Sequence, residues 1–253
     1  MSDHRDAPDW LVDEPYTDTE LGILRTGKEA QVSLVERTGP AGRCLLARKR
    51  YLPREVSQKG TLEAMGVQRA TQFRNDVTYR DGRQFRRSRD RRAVERMSTR
   101  GKALLQERWT SHEHDVMDVL WRAGARVPYP MMFAEDHLDM EYVGDLDEAA
   151  PTLARLRPRG PVLAGMWDQL VAGLERVVGC GYAHGDLSAY NLLWWAGELW
   201  MIDFPQAVDI AANPTGLDFL QRDVANITAW FARQGSERNG DQLFAHLIGQ
   251  LRW

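Results

Sequence analysis

Cysteine is nearly missing from this chain. Cys44 and Cys180 are the only two in 253 residues, and neither sits in a C-x-x-C pair, so no disulfide framework or zinc ribbon is expected. No apolar run approaches the roughly 20 residues of a membrane-spanning helix. The opening M-S-D-H-R-D-A-P-D-W has no basic region leading into an apolar stretch, so a secretory leader is not expected either. A cytoplasmic chain with no membrane partner is the resulting expectation. Net charge is small as well, at −3, but it hides an asymmetry. The first twenty residues hold seven acids against one arginine, whereas 83–102 holds nine Arg or Lys. The composition predicts a flexible acidic arm over 1–18. It also predicts a mobile Arg-rich insertion over 53–101, broken by Pro53, Gly60, Gly66 and Gly82. Such a run is either a solvated face or a docking surface for RNA or a ribosomal particle.

What is present is an ordinary globular composition, 43% apolar and 27% charged, enough for one large domain or two small lobes. Alternating patterns predict strands in 20–36 around the turn R-T-G-K-E-A, and a third strand from Cys44 to Tyr51. Gly27 would let backbone approach a phosphate and Lys28 would add charge. The turn is not a Walker A loop, because Glu29 stands where Ser or Thr is needed. Alternation puts Ala47, Lys49 and Tyr51 on one face of the third strand and Arg48 and Arg50 on the other. Lys49 is thereby either a phosphate ligand or one cation of a solvated basic strand.

A helix is expected from Lys102 to Trp121, with Leu105, Trp109, Val116, Val119 and Leu120 as its apolar face. Glu113 on it is the natural counter-ion for Lys49, with Asp115 and Asp118 as rivals. The H-E-H at 112–114 is not a zinc motif, since H-E-x-x-H needs a second His at Val116. Two strands follow, Val127–Met132 and His137–Val143, and M-E-Y-V-G leads to a hinge. Residues 162–179 give the clearest helix, ended by Gly179 and Gly181. Two more helices are expected over 218–233 and 240–250.

The centre of the chain is H-G-D-L-S-A-Y-N at 184–191 followed by M-I-D-F-P-Q at 201–206. Between them L-L-W-W-A-G-E-L-W-M predicts a hairpin turning at Ala196–Gly197. The hairpin would fold Asp203 back beside Asn191 and Asp186. An Asp, an amide five residues on and a second Asp suit phosphoryl transfer from a nucleotide. One carboxylate receives the acceptor proton, and the other two side chains offer hard oxygens to Mg²⁺. Protein kinases use the same order, with D-F-G where this chain has D-F-P.

Taken with T-G-K-E-A at 26–30, A-R-K-R-Y at 47–51, W-T-S-H-E at 109–113, M-E-Y-V-G at 140–144 and R-D-V at 222–224, these motifs resemble the RIO-family atypical kinases over roughly 20–234. The resemblance implies an α+β, two-lobed kinase-like fold. The N-lobe would span 19–143 and a mostly helical C-lobe 144–253, without an activation segment or peptide-docking subdomain. It further implies an ATP- and Mg²⁺-dependent serine/threonine kinase or ATPase acting on an unknown protein acceptor. Lys49 would lie on the phosphates with Glu113 holding it. Glu141 and Val143 would meet adenine through their backbone, and Asp186 would be catalytic. Asn191 and Asp203 would hold the metal, with Asp203 also able to accept phosphate. Arg25 stands where that family usually begins its phosphate loop with Ser. Two rivals remain from the residues: a small-molecule phosphotransferase of the aminoglycoside or choline kind, and a nucleotide-dependent scaffold that binds RNA or a protein.

Overall fold

The computed structural model describes residues 7–12, 14–27, 30–51, 99–134 and 137–251. Lys28 and the Arg-rich run 83–92 lie outside them. Three long antiparallel strands, β1 (Thr17–Thr26), β2 (Ala30–Gly39) and β3 (Gly42–Tyr51), open the fold. β4 (Pro130–Phe133) and β5 (His137–Glu141) complete a five-stranded sheet in the order β1-β2-β3-β5-β4. β1 begins inside the stretch assigned from sequence to the acidic arm. Val12 is buried there against Val35, Cys44 and Leu46, because strand alternation gives this sheet a second apolar face to cover.

Polar side chains on that outer face pair with one another. Arg48 makes two 2.7 Å bonds to Asp139 and a third to Asp18. Arg37 grips Asp18 at 2.7 and 2.9 Å and lies 3.6 Å over the Tyr16 ring. Two planar guanidiniums facing two carboxylates satisfy several donors in fixed geometry, which a buried charge requires. The hydrogen bond from Arg37, ahead of that from Arg48, draws the Asp18 carboxyl below its ordinary range despite burial. This network ties β1, β2, β3 and β5 together across residues 18, 37, 48 and 139.

The long helix α1 (Thr99–Arg122) packs beneath the sheet. Its buried positions Glu113, Val116, Met117, Leu120 and Trp121 follow the helical repeat. Val119, expected on that face, is 42% exposed, since it sits one step off the stripe. Leu105 and Trp109 lie outside the described side chains. After the hinge and a 3-10 turn at Leu153–Arg155 comes α2 (Gly160–Gly179), which buries Leu163, Met166, Trp167, Leu170, Leu174, Val177 and Val178. These belong to the large core that also takes in Leu187, Leu192, Phe204 and Phe231. Truncating Leu170 or Met166 to Ala would cost about 2–5 kcal/mol.

The two-residue strands β6 (Tyr182–Ala183) and β9 (Val208–Asp209) pair with each other. Between them lies the hairpin β7 (Leu192–Trp195) and β8 (Glu198–Met201). Its turn residues Ala196 and Gly197 both have positive φ, 49° and 81°, the twist that joins two strands through two residues. α3 (Gly216–Arg233) and α4 (Gly240–Ile248) close the described chain. Among the described residues the result is a small antiparallel sheet with one helix joined to a mostly helical half, the two-lobed α+β arrangement expected. Among the described residues no helix is long and apolar enough to cross a membrane.

Candidate active site

Strand register decides where the basic residues of β3 go. Arg48 and Arg50 leave on the outer face, to Asp139 and Glu20, while Lys49 and Tyr51 enter the cleft. Lys49 is buried there, and its Nζ lies 2.7 and 2.8 Å from the two Glu113 oxygens and 2.7 Å from Oδ1 of Asp203. Of the rival counter-ions, Asp118 pairs with Arg122 one turn on and Asp115 faces His114 at 3.4 Å. Burial alone would favour a neutral Lys49 amine. The charges of Asp203 and Glu113 overcome it, and the net effect holds Lys49 protonated well beyond its ordinary range.

Glu113 accepts more than the lysine. The Phe204 N–H donates to Oε1 at 3.0 Å, and the Tyr51 hydroxyl donates to Oε2. Four donor contacts on a fully buried carboxylate fix its plane, and through it the position of Lys49. Burial, then the Glu113 charge, pushes the Tyr51 phenol far above its usual value, so it stays a donor.

On the opposite wall the hairpin returns Asp203 to the mouth of the loop it left. The Ile202 N–H donates to the Asn191 carbonyl at 3.0 Å, and the Asn191 Nδ2 donates to the Asp186 carbonyl at 2.9 Å. The amide nitrogen is thereby committed to the loop, and Oδ1 is the atom suited to a cation. Asp203 sits in the left-handed region, φ 73°, where a non-glycine residue is strained by roughly 1–2 kcal/mol. Its side chain is 38% exposed toward the cleft. Burial would raise the Asp203 carboxyl, but the Lys49 charge and hydrogen bond outweigh it and leave it lowered. Asp186 is shifted the other way. Desolvation by the cleft walls raises it, His184 opposes, and the Asp203 charge adds to the rise.

The loop carrying Asp186 is held from below. Asp223, buried on α3, accepts from the Gly185 and Leu187 N–H groups at 2.7 and 2.9 Å. Arg222 donates to the Gly185 carbonyl. His184 contacts the Ile202 carbonyl through Nε2 at 3.1 Å and stacks on Phe204, with ring centroids 4.6 Å apart. Gly185 has φ 82°, and a Cβ there would lie 2.0 Å from the Gln206 carbonyl oxygen. Only glycine allows the two loops to approach this closely.

The structure thus brings Lys49, Glu113 and Asp203 into contact and sets Asp186 and Asn191 on the adjoining loop. Gly27 lies in the β1–β2 turn, where its N–H donates to Ala30 at 2.8 Å. Lys28 is outside the described residues. At the hinge the Glu141 N–H is committed to Tyr129 and the Val143 carbonyl to Ala150. A cavity of about 590 Å³ opens beside the hinge, lined by Trp10, Arg43, Leu45, Tyr142 and Leu146 among others. It contains none of the residues of the acid–lysine cluster. Sequence reasoning missed Tyr51 and Asp223 as parts of the site. Tyr51 carried a signal, its place on the Lys49 face. Asp223 lies in the R-D-V motif, but nothing in its spacing pointed to a loop 36 residues earlier.

Comparison with known proteins adds to this geometry. A family model described as RIO domain matches residues 64–243. The RIO-type serine/threonine-protein kinase Rio1 of Haloferax volcanii is 37% identical over 141 residues, 56% of this chain and 48% of that protein. That of Thermoplasma acidophilum is 31% identical over 135 residues, 53% of this chain and 69% of its own length. The probable serine/threonine-protein kinase RIO1 homolog of Encephalitozoon cuniculi is 28% identical over 233 residues, 91% of this chain and 58% of that protein. The chain therefore spans only about half of the Haloferax relative. Gly27 and Lys49 precede the residues matched by the family model, and the tertiary contact with Asp203 is what attaches Lys49 to them.

Proposed function

The chain belongs to the RIO family, and from that premise we propose that it moves the γ-phosphoryl group of ATP to a serine or threonine hydroxyl of a protein, or to water. The observation that supports this most is the 2.7 Å contact between Lys49 and Asp203, 154 residues apart, with Glu113 clamping the lysine from the other side. Lys49 would turn from Asp203 to the phosphates, remaining charged because Glu113 stays with it. The backbone of Glu141 and Val143 would orient the adenine. Asp186, raised above its ordinary value, is suited to take the proton of the acceptor hydroxyl as that oxygen attacks phosphorus.

The donor set fits Mg²⁺. One carboxylate and one amide oxygen, from Asp203 and Asn191, are few ligands, but this cation is usually held by one or two carboxylates together with substrate phosphates. When bound, the cation would neutralise charge on those phosphates. Asp203 has a second role open to it as an acceptor of phosphate. A label on its carboxylate would be lost in hydroxylamine, whereas phosphoserine would survive.

Two variants test the division of labour. Asp186→Ala should remove turnover while sparing nucleotide binding, and Asp203→Ala should weaken Mg²⁺-dependent nucleotide binding as well as turnover. If calorimetry shows MgATP affinity lost in the first and kept in the second, the two roles are reversed.

A further inference from the structure

The geometry points to Arg25 as a phosphate-binding residue of this chain, a guanidinium on β1 that grips the terminal phosphates of the bound nucleotide opposite Lys49. This rests on the phosphotransfer reading above and adds to it a ligand that discriminates by phosphate number.

Three successive strands carry the case. Arg25 is the cross-strand partner of Val32, and Val32 is the cross-strand partner of Lys49. Direct partners in an antiparallel pair project from the same face, so Arg25, Val32 and Lys49 form one row on the cleft side. The irregularity in β1 between Ile23 and Arg25 is what sets this register. Ile23 pairs with Ser33 on the outer face, and the extra residue Leu24 lets Arg25 take the cleft-facing partner. Each step along such a row is about 5 Å between Cβ atoms, so the base of Arg25 stands roughly 10 Å from that of Lys49. Side chains of this length converge across such a gap on the space beyond Asp203.

Charge and exposure agree with this placement. Arg25 is exposed, and among the described residues no acid pairs with it, unlike Arg37, Arg48 and Arg50 on the outer face. A charged fork with no acid partner among the described residues, beside a strand turn and on the face that carries Lys49, suits bidentate contact with phosphate oxygens.

The test is an equilibrium titration of the full chain in Mg²⁺ with fluorescent ATP and ADP, and with adenosine by competition. Arg25→Ala should bind ATP about tenfold more weakly, as expected for loss of one charge-assisted contact. It should bind ADP with a smaller loss and adenosine unchanged, and Arg25→Lys should recover part of the ATP affinity. Unchanged ATP affinity in Arg25→Ala overturns the inference. So does an equal loss for ATP, ADP and adenosine, which would mark a general disturbance of the N-lobe. A wild-type chain that binds adenosine and ATP alike removes Arg25 from the site while leaving the adenine contacts standing. Failure of the wild type to bind any of the three overturns the phosphotransfer reading itself, and this assignment with it.

Discussion

Asp186 and Asp203 are tuned in opposite directions, and the direction decides what each substitution does. The Asp186 carboxyl is raised by desolvation, so the folded protein holds its charge at a cost wherever that charge is present. Asp186→Asn should therefore raise the melting temperature at pH 7, by on the order of 1–2 °C, while lowering turnover about 10²–10⁴-fold. Asp203 is lowered from 3.8 because the Lys49 charge outweighs its burial, so its ionised form stabilises the fold at neutral pH. Asp203→Asn should lower the melting temperature at pH 7. The deficit should shrink as pH falls below 3.8 and close only once pH has passed through the lowered value of the folded carboxyl, where the folded wild type is protonated too. Thermal melts of both variants at pH 7 and through a descending pH series below 3.8 check the signs. Tyr51 belongs to the same set of charges. Tyr51→Phe should raise the KM for ATP several-fold with a smaller change in kcat, since the hydroxyl acts through the Glu113 carboxylate. In a Glu113→Ala background the same change should do almost nothing, and equal effects in the two backgrounds would contradict the link.

At the scale of elements, the loop between β6 and β7 is shaped by contacts that come from far along the chain. Gly185→Ala would set a methyl carbon 2.0 Å from the Gln206 carbonyl at a φ of 82°, which no side-chain rotation relieves. We expect a loss of about 2–4 kcal/mol, read by urea denaturation. Asp223→Ala leaves two buried N–H groups without their acceptor, and should cost a similar amount together with most of the turnover. The sequence showed these elements unevenly. The hairpin was legible because Ala196–Gly197 sits between two alternating runs, and α2 because its apolar stripe is long. The alternation of Arg48, Lys49 and Arg50 was legible as two faces, but not the destination of each. Asp18 and Asp139 are ordinary acids in the sequence, and only the pairing of β1, β2, β3 and β5 makes them partners of Arg37 and Arg48. The two-residue strands β6 and β9 are too short for any periodicity to announce.

For the molecule as a whole, the fold is a device for bringing residue 49 to residue 203. The sheet supplies Lys49, α1 supplies Glu113, and the hairpin supplies Asp203, so the site exists only when both halves are folded against each other. The family motifs could be read as a linear string, which is why the class was legible from sequence. The closing contacts could not, since they depend on packing between strands and helices more than 60 residues apart. The central claim is phosphoryl transfer at this junction. Its most direct test is incubation of the chain with γ-labelled ATP and Mg²⁺, wild type beside Asp186→Ala, counting label released as phosphate and label moved onto protein. The account predicts Mg²⁺-dependent label movement by the wild type and a loss of at least about 10²-fold in the variant. No label movement by the wild type, or equal movement by both, would contradict it.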